Sequence, residues 1–127
     1  MQYACLVYID TDAMAKLSTQ QGTKLTDDTI DFDHELKREG HLIFARPLQP
    51  PGTAVTVRVR NGRTVTTDGP FVETKEFLGG FFLIEACDLN EAIRLAEASP
   101  IAPFASIEIR PFLEQTHSHT GAARPGM

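Results

Sequence analysis

The sequence predicts an α+β domain of the split βαβ type with a hairpin inserted between its two halves. Three observations predict it. Apolar strand-like runs and amphipathic stretches follow one another as strand, helix, strand, hairpin, strand, helix, strand. The runs over residues 3–9 and 80–86 are apolar on both parities, as in strands covered on both faces. Asn61-Gly62 stands between alternating segments, the pattern of a two-residue type I′ turn.

The first strand puts Tyr3, Cys5, Val7 and Ile9 on one face and Ala4, Leu6 and Tyr8 on the other. A short helical stretch over 13–17 follows, then a polar break at Gln21-Gly22. Thr26 reads as the N-cap of a second helix ending at Gly40, with Asp27 and Asp28 at its positive end. On a helical wheel Leu25, Phe32 and Leu36 share one side, while Ile30 and His34 fall roughly opposite. Residues 41–46 form the next strand, stopped by Pro47 and Pro50-Pro51-Gly52. The hairpin occupies 55–67. Asp88 is an N-cap with Glu91 as its acidic partner, opening a helix with Ala92, Ile93 and Ala96 on one face, which Pro100 ends. A strand over 106–112 completes the order. The domain is therefore expected over 1–113, and residues 114–127, without periodicity, form a mobile tail.

Two helices cover only one face of such a sheet. The other face of the doubly apolar strands then needs a second apolar surface, and the simplest candidate is the same face of another copy, so a homodimer is expected. With 127 residues, 42% apolar and 23% charged, the chain is a single globular domain. Twelve Lys and Arg against seventeen Asp and Glu leave a net charge of −5, which argues against direct binding of nucleic acid. Cys5 and Cys87 lie in or beside apolar runs and read as buried free thiols rather than a disulfide framework. The N-terminal apolar run is too short for a membrane span and lacks a signal-peptide pattern, so the expected location is cytoplasmic and no membrane is involved.

The stretch 67–82 concentrates turn residues, charges and aromatics. Asp68-Gly69-Pro70 is a turn; in an extended connector Glu73 and Lys75 lie on one side, Thr74 and Glu76 on the other. A cleft bounded by Asp68, Glu73, Lys75 and Tyr8 would hold a carboxylate base, with Lys75 or an Arg holding an anion. The plainer alternative makes Asp68 a turn-closing group, Glu73 and Lys75 a surface pair, and Phe71 and Phe77 core plugs.

Asp68-Gly-Pro-Phe-Val-Glu-Thr-Lys-Glu76, continued by Leu78-Gly-Gly-Phe-Phe-Leu-Ile-Glu85, resembles the signature of the YCII-related family, in the branch named for the Asp-Gly-Pro-Phe motif. The flanks agree: Tyr3-Ala-Cys-Leu-Val-Tyr8, Leu48-Gln-Pro-Pro51, Thr56-Val-Arg58 and Glu108-Ile-Arg-Pro111, so the resemblance spans residues 2–113. It implies a ferredoxin-like fold assembled as a dimeric α+β barrel. It also implies a small enzyme with a His and Asp pair at a cleft, carrying out proton transfer or elimination on ring substrates. His34 lies on the corresponding helix, but the early turns of that helix hold no His, and Arg38 stands near where the Asp is expected. Members of the branch are often encoded beside sigma factors of the extracytoplasmic class, which makes a sigma factor a partner to consider. An acidic chain without a recognition helix gives that partner little physical support.

The expected function is that of a small cofactor-free enzyme acting on a small organic acid or ring compound, with no metal. The alternatives are a non-catalytic ligand-sensing module and a dimeric adaptor linked to transcription. Expected catalytic residues are Asp68, Glu73 and His34; expected contacts to an anionic or aromatic ligand are Tyr8, Arg46, Phe71, Lys75 and Glu76. His117 and His119 lie in the tail without carboxylate or thiolate company, which disfavours a metal site. Arg58, Arg60 and Arg63 crowd one hairpin face and need relief, from Glu73 or Glu76 or from an acidic partner.

Overall fold

The computed structural model describes residues 1–126. Its elements are β1 (Gln2–Asp10), α1 (Thr11–Ala15), α2 (Thr19–Arg38), β2 (Leu42–Pro47), β3 (Val55–Arg60), β4 (Arg63–Asp68), β5 (Glu76–Glu85), α3 (Leu89–Glu97) and β6 (Ala105–Pro111). Four strands form one sheet in the order β2-β5-β1-β6, and β3-β4 form a separate two-stranded ribbon. β5 pairs antiparallel with both β1 and β2, and β6 pairs antiparallel with β1. α2 joins β1 to β2 and α3 joins β5 to β6, so the sheet is two interleaved split βαβ units, the ferredoxin-like arrangement.

The helix-facing parity of the central strands makes the core. Tyr3, Cys5 and Val7 of β1 and Phe82 and Ile84 of β5 are buried together with Ala92 and Ala96 of α3. Burial pushes the Cys5 thiol up to about 12, so it stays protonated and inert. The other thiol, Cys87, is exposed at the start of the α3 turn, contrary to the expected burial, because the chain leaves the sheet at Ala86. Ile93 also differs from its expected place: α3 presents Ala92 and Ala96 inward, and Ile93 is exposed.

α2 starts earlier than Thr26. Ser18 is the cap, accepting from the Gln21 N–H at 3.1 Å while the Gln21 side chain accepts from the Ser18 N–H at 2.8 Å. This reciprocal box satisfies two free amides and carries the helix through Gly22, which the sequence reading treats as a break. The Thr26 hydroxyl, instead of capping, donates to the Gly22 carbonyl at 3.1 Å. The Asp88 cap forms as expected, accepting from the Glu91 N–H at 2.8 Å, while Glu91 accepts from the Cys87 N–H at 2.9 Å. His41 is structural: its Nδ1 lies 2.9 Å from the Glu85 carbonyl oxygen, tying the start of β2 to the end of β5.

β5 runs four residues further toward the N-terminus than the apolar pattern suggests, because the register shifts by one residue between Val7 and Tyr8 of β1 and absorbs Gly79. A Cβ on Gly79 would lie 2.4 Å from Ile9 Cγ1, and one on Gly80 would lie 2.9 Å from the Arg46 carbonyl oxygen and 3.0 Å from Pro47 Cα. Only glycine lets β2 approach β5 there.

The second face of the sheet carries no helix. Ala4, Leu6 and Tyr8 of β1 and Phe81 and Leu83 of β5 are half-buried on it, and the Phe44 and Phe81 rings lie 6.0 Å apart. The ribbon has the predicted turn, with positive φ at both Asn61 (53°) and Gly62 (72°), and Arg60 pairs with Arg63 as expected. After β6, Thr116 and Ala123 form one isolated bridge, within which His117 Nδ1 accepts from the His119 and Thr120 amides at 3.2 Å. Among the described residues no helix is long and apolar enough to cross a membrane, and no group of His, Cys, Asp and Glu is placed to hold a metal ion.

Two glycines give opposite outcomes. Gly80→Ala forces a backbone contact and should lower stability by about 1–3 kcal/mol. Gly22→Ala meets open space in a helix interior and should raise stability by about 0.5–1 kcal/mol. Urea denaturation midpoints of the two variants check both signs.

Candidate active site

α2 buries only Leu36, near its C-terminal end. Its N-terminal three-quarters present Leu25, Thr29 and Asp33 half-buried over the sheet, and between helix and sheet lies a cleft of about 310 Å³. Val7, Ile9, Ala45 and Phe82 form its floor, and Met14 of α1 contributes to its wall. Pro47, Gly79 and Gly80 stand where β2 meets β5, and Ser99 and Ile101, from the turn after α3, complete the lining. Glycine at 80 keeps that part of the floor free of a side chain.

The polar groups in this apolar cleft are few. Thr26 and Thr29 donate their hydroxyls to the carbonyls of Gly22 (3.1 Å) and Leu25 (2.8 Å), leaving hydroxyl oxygens as acceptors. Ser99 is buried, and its Oγ accepts from the Ile101 N–H at 3.4 Å. Among the described residues Asp33 is the only carboxylate lining the cleft. Among the described residues it makes no ion pair and no side-chain hydrogen bond within the chain, so burial raises its pKa above the usual carboxylate range while neighbouring His34 opposes the rise. An isolated carboxyl on an apolar wall is suited to taking up and returning a proton.

Of the eight sequence-predicted site residues only Arg46 borders this cleft, at the edge where β2 meets β5, and its side chain turns to the open face, where it pairs with Phe81 in register. Its guanidinium lies 4.4 Å from the Phe44 ring centroid and donates to the Ala45 carbonyl at 2.7 Å. Tyr8 alternates with Val7 and Ile9 and so sits on the opposite face of the sheet. His34 is exposed on α2, one residue beyond Asp33. Asp68 ends β4 and is exposed, as are Glu73 and Lys75 in the connector to β5. The Lys75 carbonyl accepts from the Thr11 hydroxyl at 2.9 Å, and Glu76 accepts from the Ser106 hydroxyl at 3.2–3.3 Å. Phe71 is not a core plug: it is 72% exposed, with the Arg58 guanidinium 5.2 Å from its ring centroid. The structure thus spreads these residues over the hairpin, the connector and the open sheet face.

The sequence reading misses Asp33, Thr29 and Ser99. A signal for Asp33 exists on the wheel, where it stands about 60° from Leu36, at the border between the apolar stripe and Ile30. Ser99 has no such signal, since its burial depends on how the turn after α3 returns to the sheet.

A ferredoxin-like sheet with an apolar cleft under its first long helix defines a small α+β protein of the split βαβ class. The chain belongs to the YCII-related domain family, whose model matches residues 1–115. It is 35% identical over 115 residues to an uncharacterized protein of Rhizobium meliloti (strain 1021), covering 87% of this chain and 91% of that one. Among solved structures it is similar to the 5-chloro-2-hydroxyhydroquinone dehydrochlorinase TftG from Burkholderia phenoliruptrix AC1100, in complex with 2,5-dihydroxybenzoquinone. That likeness has a TM-score of 0.53 and 14% identity, over 94% of this chain and 98% of the other, and is one of fold.

Because its folded-state pKa is raised, Asp33 favours the folded state most at low pH. This contribution is lost as pH rises from the ordinary carboxylate value, about 3.9, through the raised one. Asp33→Asn should therefore raise the melting temperature relative to the parent at neutral pH, with the difference shrinking below about pH 3.9. Melting curves from pH 3 to 8 check this; a difference independent of pH contradicts it.

Proposed function

We propose that the chain is a small-molecule enzyme that moves a proton on a compact ring or small organic acid held between α2 and the sheet, with Asp33 as the proton carrier and no cofactor. The observation that carries the reading is the lone carboxyl of Asp33, without a partner among the described residues, on the wall of an apolar cleft. In a tautomerisation the carboxylate takes a proton from one atom of the ligand and returns it to another. In an elimination the C–H electron pair becomes the new double bond, the leaving group departs with its own pair, and Asp33 keeps the proton until solvent takes it. Thr29 and Ser99 can hydrogen-bond ring oxygens. The similarly folded TftG, a 5-chloro-2-hydroxyhydroquinone dehydrochlorinase, supports this substrate class. The functional unit is a homodimer through the open sheet face, where Leu6, Tyr8, Phe81 and Leu83 otherwise remain half in water.

The test uses 2,5-dihydroxybenzoquinone as probe ligand and chlorinated hydroxyhydroquinones as trial substrates. Perturbation of the probe's visible absorbance should report binding in the cleft, with Thr29→Val weakening it. Asp33→Asn should lower any turnover by about 10²–10⁴-fold. The parent rate should rise with pH to a plateau whose midpoint lies above the usual carboxylate range. Turnover that survives Asp33→Asn but is lost in Asp68→Asn or Glu73→Gln would move the chemistry to the connector and overturn this assignment.

A further inference from the structure

We propose that the free edge of β3 is a strand-addition site for an extended segment of a partner protein in which carboxylates alternate with apolar residues. Among the described residues β3 and β4 pair only with each other, and a lone two-stranded ribbon is at best marginally stable in water. Its backbone is prepared for a third strand. In an antiparallel ribbon closed by a two-residue turn, Arg60 and Arg63 exchange backbone hydrogen bonds, and every second pair behind them does the same: Arg58 with Val65, then Thr56 with Thr67. The Gly69 N–H, donating to the Ala54 carbonyl at 2.7 Å, continues that series. The N–H and C=O groups of Val55, Val57 and Val59 therefore point away from β4, along the open edge. The Val59 carbonyl there accepts from the guanidinium of neighbouring Arg60 at 3.0 Å.

The two faces of β3 specify what an added strand carries. On one face Val55, Val57 and Val59 are 57–62% exposed. On the other stand Arg58 and Arg60, with Arg63 directly opposite Arg60. Glu73 and Glu76 do not relieve them: among the described residues none of the three arginines makes an ion pair, and Arg58 rests on the Phe71 ring. Like charges in cross-strand positions repel, so this face gains from carboxylates brought alongside. Side chains of an added strand alternate in step with those of β3, so residues beside Val57 and Val59 fall on the valine face and those beside Arg58 and Arg60 on the basic one. A segment alternating apolar and acidic residues meets both faces at once while its backbone pairs with the edge. Nucleic acid would meet the arginines alone, leaving the valines wet and the edge unpaired.

The probe is a fluorescein-labelled peptide of alternating Val and Glu, about eight residues long, titrated with the full chain and followed by anisotropy. Binding should be micromolar at low salt and weaken as salt rises. A control of the same composition, with its valines and glutamates in separate blocks, should bind about tenfold more weakly or worse. Arg58→Ala/Arg60→Ala should weaken the alternating peptide by about tenfold and flatten its salt dependence. Val57→Pro removes one outward N–H, leaves the bonds between β3 and β4 in place, and should abolish binding. The arginine variant leaves the backbone unaltered, so the test does not hang on how the ribbon tolerates proline. In the parent, exchange of the Val57 and Val59 amides should slow when peptide is added. Equal binding of the block control, or unchanged affinity in both variants, overturns the proposal. So does protection of those two amides by self-association of the parent with no peptide bound, which assigns the edge to a second copy. Arginine-dependent binding of a DNA duplex tighter than that of the peptide, and indifferent to Val57→Pro, assigns the basic face to nucleic acid and overturns it as well. None of these readouts depends on the cleft under α2.

Discussion

The structure depends on one constraint: β1 is apolar on both faces and pairs on both edges. Its Tyr3, Cys5 and Val7 face must be roofed by helices, and α3 provides a close roof because its inward positions are alanines. α2 is different. It is pinned near its C-terminal end by Leu36 and crosses the rest of the sheet with Thr26, Thr29 and Asp33 where a tight interface would need large apolar side chains. The helix stands off, and the space beneath it is the cleft. The cleft thus arises where the packing of the core is left incomplete.

The same constraint acts on the opposite face. Ala4, Leu6 and Tyr8 present apolar surface that neither helix can reach, and the described residues supply no third layer. Hydrophobic burial is worth roughly 25 cal/mol per Å², so leaving this face wet forfeits stability that association can recover. The two sides of β1 therefore differ: one lines the cleft under α2, and the other is an open, half-buried apolar face.

Much of the fold was legible in the sequence. The order of elements along the chain, the I′ turn at Asn61-Gly62 and the Asp88 cap are local signals, and each formed as its chemistry requires. The start of α2 was misplaced because Gly22 looked like a break, whereas the Ser18 and Gln21 box outweighs the propensity cost of one glycine. Motif and charge coincide over residues 67–82, yet Asp68, Glu73 and Lys75 lie exposed outside the cleft. The cleft is built from positions whose meaning appears only in three dimensions: a carboxylate at the edge of a helical stripe, a serine after α3, and a glycine that keeps the floor open. Proximity of that kind is set by topology and register, which composition does not encode.

What distinguishes Asp33 from the other acidic residues is its setting rather than its identity: an apolar wall and no cation in ion-pairing contact. Observing its carboxyl carbon directly by NMR during a pH titration, with and without 2,5-dihydroxybenzoquinone, tests this most directly. The account predicts a midpoint above the ordinary carboxylate value of about 3.9 in the free protein, and a displacement of that midpoint when the probe occupies the cleft. A midpoint at the ordinary value that the probe leaves unmoved would contradict it.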